Sequence, residues 1–143
     1  MQNYFEILRK CPLFEGVSEE ECKSFFEKAD FRIIDAEKGQ MILEEGSKPI
    51  YIGIVLSGTF LVVRDDYYGN RSITARLAPS DIFAEVFVLA DVKKLPVGVV
   101  AAEKSKALMI DRGMVMAFDG YSRLTYNLLK IVASKNIMLN KKI

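Results

Sequence analysis

Apolar positions change their period twice along the chain. Tyr4, Ile7 and Leu8 fall at helical spacing within Asn3–Lys10, and Pro12, which fixes φ and lacks an N–H, ends that run. Ser18 followed by Glu21 reads as a capping box. The helix it opens carries Cys22, Phe25 and Phe26 to about Ala29. From Phe31 to Asp111 short β-prone runs take over: Arg32–Asp35, Gln40–Leu43, Tyr51–Leu56, Thr59–Arg64, an alternating Ser72–Leu77, Val97–Ala102 and Ala107–Ile110. Lys38-Gly39, Glu45-Gly46, Ser57-Gly58 and Tyr68-Gly69-Asn70 punctuate them as turns. Turns every ~8–12 residues are the spacing of a sandwich or barrel, and about eight such strands predict a jelly roll or related double-sheet roll.

From Tyr121 to Ile143 the helical period returns. Leu124, Leu128, Ile131 and Met138 form one stripe, interrupted by Lys135. Leu129, Val132 and Leu139 form a second, interrupted by Asn136. The combined face is wider than a single seam, so one edge can pack on the roll and the other on a second chain. Lys135 and Asn136 would set register across such a homodimer; the competing reading is a helix wholly absorbed by its own domain. The predicted fold class is mainly β with flanking helices: one domain over 1–143, with N-terminal helices in 1–30, the roll in 31–111 and the C-terminal, dimerising helix region in 112–143.

Composition narrows the chemistry. The chain has 143 residues, 20 basic and 19 acidic, for a net charge of +1. That balance does not suit a domain gripping nucleic acid by itself. Histidine is absent, which removes the commonest general base and the imidazole ligands of zinc, non-haem iron and haem sites. Two cysteines, Cys11 and Cys22, cannot supply the four thiolates of a typical iron–sulfur cluster. They fit a reduced, cytoplasmic setting better than a secreted scaffold. No signal peptide or membrane span is legible. Asp65-Asp66 resembles a metal pair but falls on a predicted hairpin, where acidic residues serve the turn. The glycines stand in no phosphate-binding arrangement. No enzyme, cofactor or metal is expected.

The order of a capping-box helix, an eight-stranded roll and a long C-terminal helix resembles a known family. So do Lys10–Ser18, Tyr51–Gly58, Asp66–Arg71 and Pro79–Glu85. The chain is similar to the effector domain of the Crp–Fnr bacterial transcription regulators, a cyclic-nucleotide-binding-type double-stranded β-helix. Leu95–Ala102 looks more like the branches that do not sense cyclic nucleotides. The resemblance implies a ligand-sensing, homodimeric module. It also implies that DNA is reached only through a winged helix-turn-helix after the long helix, a segment this sequence stops short of.

In nucleotide-binding relatives a Gly-Glu pair opens the phosphate cassette, and an Arg followed by Ser or Thr, about ten residues on, clamps the phosphate. The planar guanidinium suits that task because it donates two parallel charge-assisted hydrogen bonds. Here Glu85 matches the glutamate, Ala84 replaces the glycine, and Leu95-Pro96 stand where the Arg and Ser would be. Neither offers a donor, so a buried phosphate would be desolvated without compensation. Cyclic AMP and cyclic GMP are therefore not expected to bind.

Three readings of the pocket stay open. One is another small effector, walled by Phe83, Ala84, Glu85, Leu95, Pro96 and Val97 with Leu124 and Leu128 from the helix. The second is a degenerate pocket filled by side chains, with Glu85 capping a turn or pairing with Lys94. The third is redox sensing through Cys11 and Cys22, whose plainer role is packing. The candidate dimer residues are Leu124, Leu128, Ile131, Val132, Lys135, Met138 and Leu139. A jelly-roll enzyme and a cyclic-nucleotide-binding regulatory subunit are the rival classes.

Overall fold

In the computed structural model residues 4–28, 31–116 and 122–141 are described; of 115, 116, 122 and 136–141 the backbone alone is described. Eight strands among the described residues form two antiparallel four-stranded sheets. They are β1 (Phe31–Ala36), β2 (Met41–Leu43), β3 (Tyr51–Ser57), β4 (Phe60–Asp65), β5 (Arg71–Leu77), β6 (Ile82–Phe83), β7 (Gly98–Ala101) and β8 (Ser105–Asp111). The first sheet runs β1-β8-β3-β6 and the second β2-β7-β4-β5.

The helices are α1 (Phe5–Leu8), α2 (Glu19–Lys28), α3 (Glu85–Leu89), α4 (Arg112–Met116) and α5 (Ser122–Lys141). Ser18 caps α2, and Glu21 meets its hydroxyl. The Glu21 N–H donates to Ser18 Oγ at 3.1 Å, and the Ser18 hydroxyl donates to Glu21 Oε1 at 3.2 Å. Pro12 does more than stop a helix: it opens a single 3₁₀ turn, Pro12–Phe14, that buries Leu13 and Phe14.

β3 and β8 are buried on both faces, and the period of two sorts their side chains into two cores. Ile52, Ile54 and Leu56 of β3, with Leu108 and Ile110 of β8, face the helices and pack with Phe14, Phe25, Leu124 and Leu128. Val55, Ala107 and Met109 face the second sheet and pack with Phe60, Phe83 and Val99. Gly53 pairs with Phe83 in register, and a Cβ there would lie 2.0 Å from the Phe83 ring. Glycine is what lets that ring cross the strand.

Two expectations are corrected. β5 alternates in sequence but not in burial: every residue from Arg71 to Arg76 is exposed. β6 and α3 were not legible, being two and five residues long.

Candidate functional site

The β6–α3 junction places Phe83, Ala84 and Glu85 in succession. Ala84 sits in the left-handed region, with φ 68° and ψ −1°, a conformation that glycine adopts freely and L-residues adopt at a cost. The backbone geometry is the one a glycine would serve, and alanine occupies it. This turn directs Glu85 inward, where it is 0 % exposed at the start of α3.

Across from it, the 93–97 segment is pinned to the β2–β3 loop. The Leu95 N–H donates to the Ser47 carbonyl at 2.7 Å, and the Gly46 N–H donates to the Leu95 carbonyl at 2.8 Å. Leu95 is thereby buried. The Pro96 carbonyl accepts from Arg64 Nε at 3.2 Å. Phe83, Ala84, Leu95 and Val97 come together as the sequence implied, closed by Leu43 and Phe87, around a cavity of about 40 Å³. That space suits a water or two, whereas small-molecule sites usually span about 300–1,000 Å³.

Glu85 does not face an arginine or Lys94. Lys135, expected at a dimer seam, reaches back from α5 within the chain, and its Nζ donates to Glu85 Oε1. Glu85 Oε2 has no partner among the described residues. Burial pushes the Lys135 ammonium below its ordinary pKa, against the opposing pull of Asp81.

Leu124 and Leu128 are not brought to the Leu95 cavity. With Ile131 they are buried in the helix-side core, on the opposite face of the first sheet from Phe83 and Val99. The other stripe of α5 is open: Leu129 is 65 % exposed and Val132 half-buried. The side chains of Asn136, Met138 and Leu139 lie outside the described residues.

A larger cavity, about 430 Å³, lies between the 3₁₀ turn, the β5–β6 junction and α5. Its walls include Leu77, Asp81, Ile82, Asn127, Ile131 and Lys135. The sequence reading missed Asp81 and Asn127. Asn127 stands three residues after Leu124 and four before Ile131, a polar position inside an apolar stripe, and that was the available signal. Its Nδ2 donates to the Leu13 and Glu15 carbonyls, both at 2.8 Å.

The remaining candidates have structural roles. Asp66 Oδ1 accepts from the Tyr68 and Asn70 N–H groups at 2.8 Å, and Asp65 pairs with Arg71 at 2.9 Å. Cys11 and Cys22 are free thiols in the helix-side core, each pushed up to about pKa 11 by burial. No helix among the described residues is long and apolar enough to cross a membrane.

Comparison with known proteins agrees with this geometry. The catabolite activator protein of Thermus thermophilus superposes with a TM-score of 0.79 at 23 % identity, covering 92 % of this chain and 61 % of that one. The chain thus spans less than two thirds of that protein. The sensor domain of the transcriptional regulator DNR from Pseudomonas aeruginosa gives 0.81 at 16 % identity, covering 99 % and 94 % of the two chains. The N-terminal domain of a transcriptional regulator from Streptomyces coelicolor A3(2) gives 0.74 at 20 % identity, covering 94 % and 95 %. Among curated protein sequences there is no significant match. The two-sheet roll with flanking helices is therefore the fold of regulator sensor domains. The profile of the cyclic nucleotide-binding domain matches residues 33–118, and the chain belongs to that family.

Proposed function

We propose that this domain is the effector-sensing and dimer-forming part of a Crp–Fnr-type transcription regulator, answering to a small molecule other than cyclic AMP. DNA would be bound by a winged helix-turn-helix on the C-terminal side of α5. The domain is regulatory, cytoplasmic and not catalytic on this reading. Its likeness to the sensor domain of a transcriptional regulator supports the regulatory role.

One observation carries the choice of effector: Leu95, which the resemblance aligns with the phosphate-clamping arginine, is buried and lines a cavity of about 40 Å³. An anionic phosphate there would lose its hydration and gain no donor, which costs several kcal/mol. Glu85, which matches the glutamate of the cassette, is already engaged by Lys135. Titration calorimetry with cyclic AMP and cyclic GMP up to about 1 mM is expected to give no binding heat. Micromolar affinity for either nucleotide overturns the reading.

A thermal-shift screen of metabolites supplies the positive test. A ligand at a hundred times its dissociation constant stabilises the folded state by about 2.7 kcal/mol. The degenerate-pocket reading is favoured by the same small cavity and predicts no hit. The redox reading is weakened by the burial and raised pKa of both thiols, since the thiolate is the reactive form.

A further inference from the structure

The roughly 430 Å³ cavity beside α5 shares no residue with the Leu95 cavity. Its size falls in the range of small-molecule sites, and its walls combine two kinds of surface. Leu77, Ile82 and Ile131 are apolar, whereas Asp81 and Lys135 bring a carboxylate and an ammonium group, and Glu15 and Lys130 at the rim pair with each other at 3.9 Å. A site with that balance disfavours a simple anion or a simple cation, because either would face a like charge as well as an opposite one. It suits a molecule carrying both signs on an apolar body.

The polar groups are held in place for such a ligand. Asp81 Oδ2 accepts the Ala78 N–H at 2.8 Å, which fixes the carboxylate at the turn before β6. Lys135 has three N–H donors, one of which goes to Glu85 Oε1. Glu85 therefore anchors the ammonium while leaving donors for the cavity. Asn127, buried at 2 % exposure, donates from its side-chain amide to the Leu13 and Glu15 carbonyls, and its Oδ1 accepts no hydrogen bond among the described residues.

We propose that this cavity, rather than the nucleotide position, is the effector site, and that it takes a small zwitterion of the α-amino-acid class with an apolar side chain. The ammonium group would lie toward Asp81 and the carboxylate toward Lys135. The side chain would lie on Leu77, Ile82 and Ile131. This inference rests on the sensing role proposed above and names the ligand chemistry for it.

The test titrates the purified chain with leucine, its decarboxylated amine and its deaminated acid, by calorimetry and by methyl and side-chain amide NMR shifts. Leucine is expected to bind and to shift the Ile131 methyl and Asn127 amide signals, with the amine and the acid each at least about ten-fold weaker. Ser134→Trp fills the cavity from an exposed helix position. It is expected to abolish binding without changing the ligand-free melting temperature or the oligomeric state. Asp81→Asn keeps an acceptor for the Ala78 N–H, and should bring leucine down to the affinity of the deaminated acid.

Equal binding of leucine and the deaminated acid by the unaltered chain overturns the zwitterion assignment. A metabolite that binds the Ser134→Trp variant as well as the parent overturns the site while leaving the sensing role intact. An absence of binding by every metabolite and amino acid overturns the sensing role and this site with it.

Discussion

At the residue scale, Ala84, Leu95 and Pro96 depart from the nucleotide-binding pattern that the resemblance implies, and each has a physical consequence. Ala84 holds a left-handed backbone conformation, which costs an L-residue ~1–2 kcal/mol. Its methyl also packs on the inter-sheet core, so Ala84→Gly relieves strain and loses a little contact. A net gain of about 0.5–1 kcal/mol in urea unfolding is expected, against the usual loss for a glycine substitution. Leu95 and Pro96 were legible as non-donors from residue type alone. The Lys135–Glu85 contact was not, because β7, β8 and α4 lie between the two residues in sequence and no local pattern joins them. The cysteines give a further prediction. Each is raised from 9.0 to about 11 by burial. The unfolded thiols therefore release protons first, and their contribution to stability is complete below pH 9 and lost as pH rises through about 11. Unfolding titrations should show that alkaline loss in the parent chain and a smaller one in a Cys11→Ala, Cys22→Ala variant. A thiol reagent at neutral pH should label neither cysteine until urea unfolds the chain.

At the scale of elements, α5 carries two stripes with different fates. The 3.6-residue period made the helix legible, and α5 spans Ser122–Lys141 with one stripe buried and Leu129 of the other exposed. Which stripe turns inward was not legible, since Leu128 and Leu129 are equally apolar. The 3₁₀ turn at Pro12–Phe14 decides it. Asn127 hydrogen-bonds the Leu13 and Glu15 carbonyls, Arg123 Nε donates to the Glu15 carbonyl at 3.1 Å, and these bonds set the rotation of the helix. Leu128 is then 5 % exposed and Leu129 65 % exposed. Leu128→Ala is expected to cost about 2–4 kcal/mol in monomer stability through a core cavity. Leu129→Asp should leave monomer stability within about 0.5 kcal/mol. If the open stripe forms the dimer, Leu129→Asp shifts light-scattering mass toward the monomer and Leu128→Ala does not. An unchanged mass for Leu129→Asp would place the dimer contact elsewhere on the chain.

At the scale of the whole molecule, the first sheet separates two cores, and the functional candidates fall on both sides of it. The small cavity at Phe83 and Ala84 belongs to the inter-sheet core, while α5 belongs to the helix-side core. The Lys135–Glu85 pair therefore links the helix to the junction between β6 and α3. The two partners are unequally placed: the Lys135 side chain is 45 % exposed and that of Glu85 is 1 % exposed. Removing the ammonium leaves a carboxylate buried without a charge partner, whereas removing the carboxylate lets the ammonium turn to water. Lys135→Met is accordingly expected to destabilise by about 2 kcal/mol, below the range for fully buried pairs because half of the lysine is solvated. Glu85→Gln keeps the shape and should cost less than about 1 kcal/mol. In the double variant the amide no longer needs the cation, so Glu85→Gln should recover most of what Lys135→Met loses. Urea unfolding of the four proteins gives the coupling directly. A coupling near zero would mean that the helix is held by the Leu124, Leu128 and Ile131 packing and by the Asn127 and Arg123 hydrogen bonds to the 3₁₀ turn. Any signal passing between the roll and the helix would then have to travel through those contacts instead of through the ion pair.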